Sequence, residues 1–145
     1  MSHWRLSTNA DIPANTETVL PGSGDSWTEV SAFGYARLGS AMTQSSGVFT
    51  FPSTGIWRIE FTGFWGIGSS GSSNSLHSRI QVTENNSSYS SAHEQQNSIN
   101  STSTYTYAGF YNTHIFDVTD TSTHKVRFTL FTSASNAYYK ANSSP

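Results

Sequence analysis

The segment from Gly47 to Ile67 has the clearest alternation of apolar and polar residues in the chain. One set of alternate positions in its second half is apolar or small: Trp57, Ile59, Phe61, Gly63, Trp65 and Ile67. The positions between them include polar residues: Arg58, Glu60 and Thr62. Successive side chains of a β-strand point to opposite faces, so this period of two predicts a strand with one buried face. A Pro-Ser-Thr-Gly turn joins it to a preceding strand, Val48 to Phe51.

The same pattern predicts further short strands along the chain. They are expected within Ser2–Asn9, Trp27–Val30, Ala32–Met42, Leu76–Thr83, Ser87–Thr104, Tyr105–Val118 and Lys125–Ser133. Residues 10–25 are polar and contain two prolines, which predicts a long surface connection. The alternation within the strand that starts at Tyr105 changes phase near Asn112, which predicts a β-bulge. No segment has a helical stripe, so we predict one all-β domain over residues 1–145, an antiparallel β-sandwich or jelly roll.

Low charge is the main feature of the composition. Asp, Glu, Lys and Arg make up 11% of the 145 residues, and the formal net charge is -2. Typical globular proteins have roughly 25% charged residues. We therefore expect a surface of hydroxyl and amide groups, without the positive field that attracts nucleic acid or an anionic membrane. Cysteine is absent, which excludes disulfides and thiolate metal sites.

The N-terminal residues MSHWRLSTNA contain neither the basic nor the apolar region of a secretory signal. No stretch of the sequence approaches the roughly 20 apolar residues that span a bilayer. We therefore expect synthesis in a host cytoplasm and no membrane insertion. A role outside the cell would require release within a particle.

The central turn and a late pair of strands resemble a known family. In the turn, the relevant residues are Gly47, Phe49, Pro52, Gly55, Ile56 and Trp57. In the late pair, Phe116 to Asp120 and Lys125 to Phe128 flank an acidic turn. Over about Trp4 to Ser133, the chain resembles the jelly-roll domain of the complement C1q and tumour necrosis factor superfamily. The resemblance implies a jelly-roll fold.

The phrases SGVFTFPSTGIW and IFDVTDTSTHKVRF are more similar to phage-type members that end tail fibres or decorate virions. This resemblance implies a compact homotrimer on a virion and no catalysis. Domains of this type finish with an apolar strand that pairs with the first one, whereas this chain ends in KANSSP. Either the native chain continues beyond Pro145 or another chain closes the sheet. We favour the first alternative, because an unpaired first strand would be a template for aggregation.

Catalytic and metal-binding patterns are weak. None of the five histidines has a two-histidine metal spacing: His3, His77, His93, His114 and His124. His93 with Glu94 is the best pair for an ion on a trimer axis. No Gly-x-Ser-x-Gly elbow supports a serine nucleophile, and Asp117 and Asp120 fit a turn better than a pair of catalytic carboxylates. We therefore predict no enzyme activity, no cofactor and no metal site.

Aromatic residues are abundant, with four Trp, seven Tyr and nine Phe. Most are expected in the core, but several fall outside the inward phase of their strands. Together with two charged residues of the central strand, they form the candidate binding residues: Arg58, Glu60, Phe64, Tyr105, Tyr107, Tyr111 and Phe131. An exposed patch of this kind usually marks an interface. We interpret it as a contact between subunits of a homotrimer, with a sugar-stacking platform as the alternative.

Three functions fit these features. The first is a non-enzymatic head of a phage fibre or appendage that binds a host-surface glycan or protein receptor. Its contacts would come from loops near Gly68–Ser75, Asn85–Ser103 and Ser133–Asn142, since binding usually lies on loops of a rigid scaffold. The second is a capsid decoration protein, whose partners are other virion proteins. The third is a carbohydrate-binding or depolymerising domain.

Overall fold

The computed structural model describes residues 1–22, 26–31, 37–68, 72–100 and 105–141. Within these ranges the chain forms antiparallel β-strands and no helix, which confirms the all-β prediction. The strands, in chain order, are β1 (Trp4–Leu6), β2 (Ala10–Ile12), β3 (Thr18–Val19), β4 (Trp27–Glu29), β5 (Thr43–Ser45), β6 (Val48–Thr50), β7 (Gly55–Gly68), β8 (Ser72–Thr83), β9 (Ser90–Asn100), β10 (Tyr105–Val118), β11 (Lys125–Thr132) and β12 (Ala137–Lys140).

The strands form two larger sheets and one small one. The first sheet has the strand order β10, β7, β12, β2. The second has the order β5, β6, β11, β8, β9, and β3 also pairs with β11. Strands β1 and β4 pair with each other. This arrangement is consistent with a β-sandwich.

One cluster of buried side chains joins the two larger sheets. Phe61 of β7 stacks on Phe128 of β11, with ring centroids 4.8 Å apart. Trp65 and Ile67 of β7 are fully buried, as is Leu130 of β11. The inward face that the alternation predicts for the central strand is therefore confirmed.

Strands β7 and β10 pair in unbroken register from Tyr105 opposite Gly68 to Val118 opposite Gly55. The predicted bulge near Asn112 is therefore absent from this pairing. Asn112 is polar but fully buried. Its Nδ2 donates to Ser78 Oγ at 2.8 Å, and its Oδ1 accepts from His93 Nδ1 at 2.7 Å. The bulge prediction was wrong because Asn112 is a polar residue at an inward position, where hydrogen bonds satisfy its side chain. In the sequence, such a residue looks the same as a change in the phase of the alternation.

The polar segment after Leu6 is more than a surface connection. Ala10–Ile12 forms β2 beside β12, and Thr18–Val19 pairs with β11. The prediction of one long loop is wrong because strands of two or three residues are too short to show alternation. Of the predicted strand Ala32–Met42, residues 32–36 lie outside the described residues, and residues 37–42 form no strand.

The strand β12 was not predicted either. It lies between β7 and β2, with Tyr139 opposite both Trp65 and Ala10. The expectation of a further closing strand beyond Pro145 stays a prediction, and residues 142–145 lie outside the described part of the chain. Among the described residues, none belongs to a helix of the length and apolarity that crossing a membrane requires.

Candidate interaction surface

The outer face of the first sheet presents a row of exposed apolar and aromatic side chains. The register of β7 and β10 brings even-numbered residues of β7 and odd-numbered residues of β10 to this side. We call the following set the aromatic face: Ile56, Phe64, Tyr105, Tyr107, Tyr111, Ile115 and Tyr138. Phe64 is 56% exposed and Ile56 is 69% exposed. The two long strands therefore carry apolar side chains on both faces, and the described residues cover only the inner one.

Gly66 leaves room for the ring of Tyr138 on this face. Gly66 is opposite Tyr107 on one side and Tyr138 on the other. The hydroxyl oxygens of these two tyrosines are 3.4 Å apart, and their rings are nearly perpendicular at 86°. Burial, followed by the hydrogen bond with Tyr107, raises the pKa of Tyr138 to about 12. Tyr138 therefore adds a neutral ring and hydroxyl to this surface.

A small polar group lies among the apolar side chains of the aromatic face. Arg58 Nη2 donates to Glu60 Oε1 at 2.8 Å and to Tyr111 Oη at 3.1 Å. The hydroxyl of Tyr111 donates to Glu60. The hydrogen bond with Tyr111, followed by the attraction of Glu60, raises the pKa of Arg58. The charges of Arg58 and Glu60 compensate each other, and Tyr111 hydrogen-bonds both side chains.

A shallow depression of about 460 Å³ opens on the same face beside Gly109. Its lining includes Phe64, Tyr111 and Gln95. Gln95 comes from β9 in the other sheet, and its Oε1 accepts from the backbone N–H of Tyr111 at 2.8 Å. Asn97 Nδ2 likewise donates to the backbone oxygen of Gly109 at 3.4 Å. Amide side chains of the second sheet thus cap part of the edge of β10.

The structure brings six of the seven candidate residues to one surface. These are Arg58, Glu60, Phe64, Tyr105, Tyr107 and Tyr111. Phe131 is apart from them, on β11 of the second sheet. Its ring meets the ring of His77 edge to face at 5.7 Å, and the guanidinium of Arg79 lies 5.8 Å from its centroid.

Three residues of the aromatic face were not among the candidates. Ile56 and Ile115 continue the alternation of Arg58 and Tyr111, so the sequence contained the signal that would have included them. Tyr138 could not be placed, because its strand was not predicted. The alternation in the sequence therefore predicts where the aromatic face lies, but it does not predict every residue that belongs to it.

The histidines do not assemble a metal site within the described ranges, where no group of three or more His, Cys, Asp or Glu is placed to hold an ion. His93 turns inward to Asn112, whereas Glu94 bonds Arg79 and His77 outside the second sheet. These two neighbours on the strand cannot bind one ion from the same chain.

Asp120 has the turn role that the sequence suggested. Its Oδ1 accepts from the backbone N–H of Ser122 at 2.8 Å and from the hydroxyl of Ser122 at 2.7 Å. These hydrogen bonds lower the pKa of Asp120. An aspartate that bonds the backbone two residues on stabilises a tight turn.

No protein-family model matches the chain, and no curated protein is significantly similar to it. The geometry of the described surface is therefore the basis for a functional conclusion.

Proposed function

We propose that this chain is a structural virion module, a trimeric jelly roll that forms the head of a phage fibre or appendage and binds a host-surface receptor. The supporting observation is the apolar outer face of β7 and β10. In this proposal the aromatic face is covered by neighbouring copies of the chain. The number of three copies and the jelly-roll order of the strands are expectations from the resemblance described above.

A second copy of the chain suits this face for physical reasons. Charge on this face is limited: Arg58 and Glu60 are paired, and Lys140 opposite Phe64 and Asp117 opposite Ile56 have opposite charges. Phe64 is 56% exposed, so covering it contributes about half of the roughly 1.5–3 kcal/mol that full burial of such a side chain gives. A surface with several exposed apolar side chains is typical of contacts between subunits.

The receptor would bind to loops at the ends of the sheets. Parts of the three expected loops, residues 69–71, 101–103 and 142, lie outside the described residues. Residues 72–75 of the first expected loop belong to β8, and residues 137–140 of the third form β12. Much of the second expected loop is the strand β9. The described loop segments that remain are residues 84–89 and 133–136. We propose these two segments as receptor contacts.

Sedimentation and light scattering of purified protein test the assembly. At micromolar concentration we expect the mass of three chains, and Phe64→Asp should reduce it to the mass of one. Leu38→Asp is the matched control, because Leu38 is 74% exposed but does not belong to the aromatic face. A monodisperse monomer of the unmodified protein would contradict the trimer, as would equal dissociation of both variants.

Adsorption to host cells distinguishes receptor binding from capsid decoration. Saturable binding of the purified trimer to cells supports a receptor-binding head. A trimer that binds purified virion shells, and does not bind cells, supports the decoration protein instead.

The depression beside Gly109 favours a second candidate, a carbohydrate-binding module. Phe64 and Tyr111 supply aromatic rings, and Gln95 supplies an amide, which are the groups that stack on a sugar and hydrogen-bond its hydroxyls. A glycan array tests this candidate with Phe64→Ala and the control Leu38→Ala. Specific binding by a monomeric protein, lost only in Phe64→Ala, would favour it over the trimer.

A further inference from the structure

The outer face of the second sheet concentrates charge in a chain that has little of it. Arg79 Nη1 donates to Glu17 Oε1 at 2.6 Å, and Arg79 Nε donates to Glu94. Gln81 Nε2 and Thr129 Oγ1 also donate to Glu17, each at 3.0 Å. Glu17 accepts three of these hydrogen bonds and Glu94 accepts one. Because Arg79 bonds both carboxylates, the bonds that hold Glu17 also help to fix the position of Glu94. This network lies on the opposite sheet from the aromatic face.

A serine and a histidine extend the network from Glu94. His77 Nδ1 and Glu94 Oε1 are 2.7 Å apart, and His77 Nε2 and Ser75 Oγ are 3.0 Å apart. A proton on Nδ1 is donated to the carboxylate, which leaves Nε2 to accept the hydroxyl proton of Ser75. The order of hydroxyl, imidazole and carboxylate is that of an activated nucleophile, and both distances are within hydrogen-bond reach.

The local backbone places Ser75 for this contact. Strand β8 pairs Ser73 with Ile99 and Leu76 with Asn97 of β9, so one extra residue forms a bulge at residues 74–75. Bulges change the direction of a side chain and are frequent beside active sites. Ser73 Oγ accepts from the backbone N–H of Ser75 at 3.1 Å, which stabilises the bulge.

Two neighbours hold the imidazole and the carboxylate in place. Phe131 packs its ring edge to face against His77. The hydrogen bond from Arg79 is the main cause that lowers the pKa of Glu94, so Glu94 is ionised at neutral pH. An ionised carboxylate stabilises the imidazolium that forms when His77 takes a proton.

We propose that Ser75 is a nucleophile for acyl esters, with His77 as its general base and Glu94 as the positioning residue. The substrate class is an uncharged acetyl ester of an alcohol or a sugar hydroxyl, because the charged groups beside the triad are already paired and Phe131 provides an apolar wall. The role proposed above requires no catalysis, and this reaction would take place on a separate surface of the same molecule.

The reaction is an acyl transfer in two steps. Ser75 Oγ attacks the ester carbonyl carbon, and its proton passes to His77 Nε2. The bond from that carbon to the alcohol oxygen breaks, the alcohol leaves with the proton from His77, and an acetyl-serine remains. Water then attacks the acetyl group and gives a proton to His77. Acetic acid leaves, and the proton returns to Ser75 Oγ.

Labelling of the full chain with 4-nitrophenyl acetate and with a fluorophosphonate tests the nucleophile. Peptide mapping by mass spectrometry should locate both labels on Ser75, and Ser75→Ala should lose them. His77→Asn should slow labelling about 100-fold, the lower end of what a general base contributes. Ser91→Ala is the matched control, since Ser91 is an exposed serine of the neighbouring strand, and it should react as the unmodified protein does.

The positioning role of Glu94 needs a separate readout. In proton NMR, the Nδ1–H of His77 should give a strongly downfield signal that disappears in Glu94→Gln, and ester labelling should slow in the same variant. The unfolding midpoint of each variant shows that it is folded. Labels spread over several serines without preference for Ser75 overturn the proposal, as does labelling of folded His77→Asn at the unmodified rate.

Discussion

The ring of Tyr138 occupies the space that a side chain at Gly66 would need. A Cβ at residue 66 would lie 2.6 Å from Tyr138 Cε2 and 2.8 Å from its hydroxyl oxygen. The two residues are directly opposite each other on β12 and β7. The absence of a side chain at Gly66 therefore allows the ring of Tyr138 to lie over this position of β7.

The first prediction concerns this contact. Gly66→Ala should displace the ring of Tyr138 and lower the free energy of unfolding by about 0.5–1.5 kcal/mol, because the displaced hydroxyl loses its hydrogen bond with Tyr107. Urea unfolding measures it. Gly109→Ala is the control, because a Cβ there would meet Phe64 Cε1 at 3.5 Å, an ordinary contact. Equal losses in both variants would show that glycine itself, and not the space for Tyr138, is required.

The second prediction concerns the buried amide between the sheets. Asn112→Leu removes the partner of both Ser78 and His93 and should cost about 1–3 kcal/mol, because Ser78 stays fully buried with one hydrogen bond fewer. In the Ser78→Ala background the same change should cost less, and a double-mutant cycle in urea measures the difference. Additive effects would contradict a direct coupling of Asn112 with Ser78.

Much of this architecture could be predicted from alternation alone. β7 alternates over most of its fourteen residues, so the pattern has enough repeats to fix both the strand and its inward face. β10 is equally long, but its outward tyrosines and the inward Asn112 hide the phase, so the pattern located this strand without fixing its inward face. Short strands such as β2 and β12 have too few residues to show a period. Their place depends on pairing with distant parts of the chain, which local sequence does not encode.

The candidate surface could be predicted for a related reason. A residue such as Phe64 that is apolar at an outward position breaks the alternation and is visible in the sequence. By contrast, Phe131 breaks the alternation on a different sheet, and no local pattern tells which sheet a strand joins. The Ser75, His77 and Glu94 arrangement could not be predicted, because it needs the register between β8 and β9 and the bulge that shifts it.

The third prediction concerns alkaline stability. The pKa of Tyr138 is raised from 10.0 to about 12 in the folded chain. A raised pKa favours the neutral form, so its contribution is complete below pH 10 and is lost as the pH rises towards about 12. Unfolding free energies in this range should fall more steeply for the unmodified protein than for Tyr138→Phe. Parallel pH profiles of the two proteins would show that Tyr138 does not contribute.

The fourth prediction concerns Arg79, which joins the carboxylates of Glu17 and Glu94. Burial raises the pKa of Glu17, but its hydrogen bonds, led by the one from Arg79, outweigh this effect, so the pKa of Glu17 is lowered overall. For Glu94, the hydrogen bond from Arg79 is the largest cause of a lowered pKa. Groups with lowered pKa values stabilise the fold above the ordinary value of 4.5, and this contribution is lost as the pH falls below it.

Arg79→Gln should therefore reduce the unfolding free energy at pH 7 by about 1–3 kcal/mol, as loss of a charged hydrogen-bond partner does. The difference from the unmodified protein should shrink below pH 4.5, where both carboxylates become protonated. Arg37→Gln is the control, because its pair with Glu29 at 3.0 Å leaves the arginine side chain 43% exposed, and such surface pairs contribute about 0–1 kcal/mol. A difference between Arg79→Gln and the unmodified protein that stays constant from pH 7 to pH 3 would mean that Arg79 acts through packing against Phe131 and not through the two carboxylates.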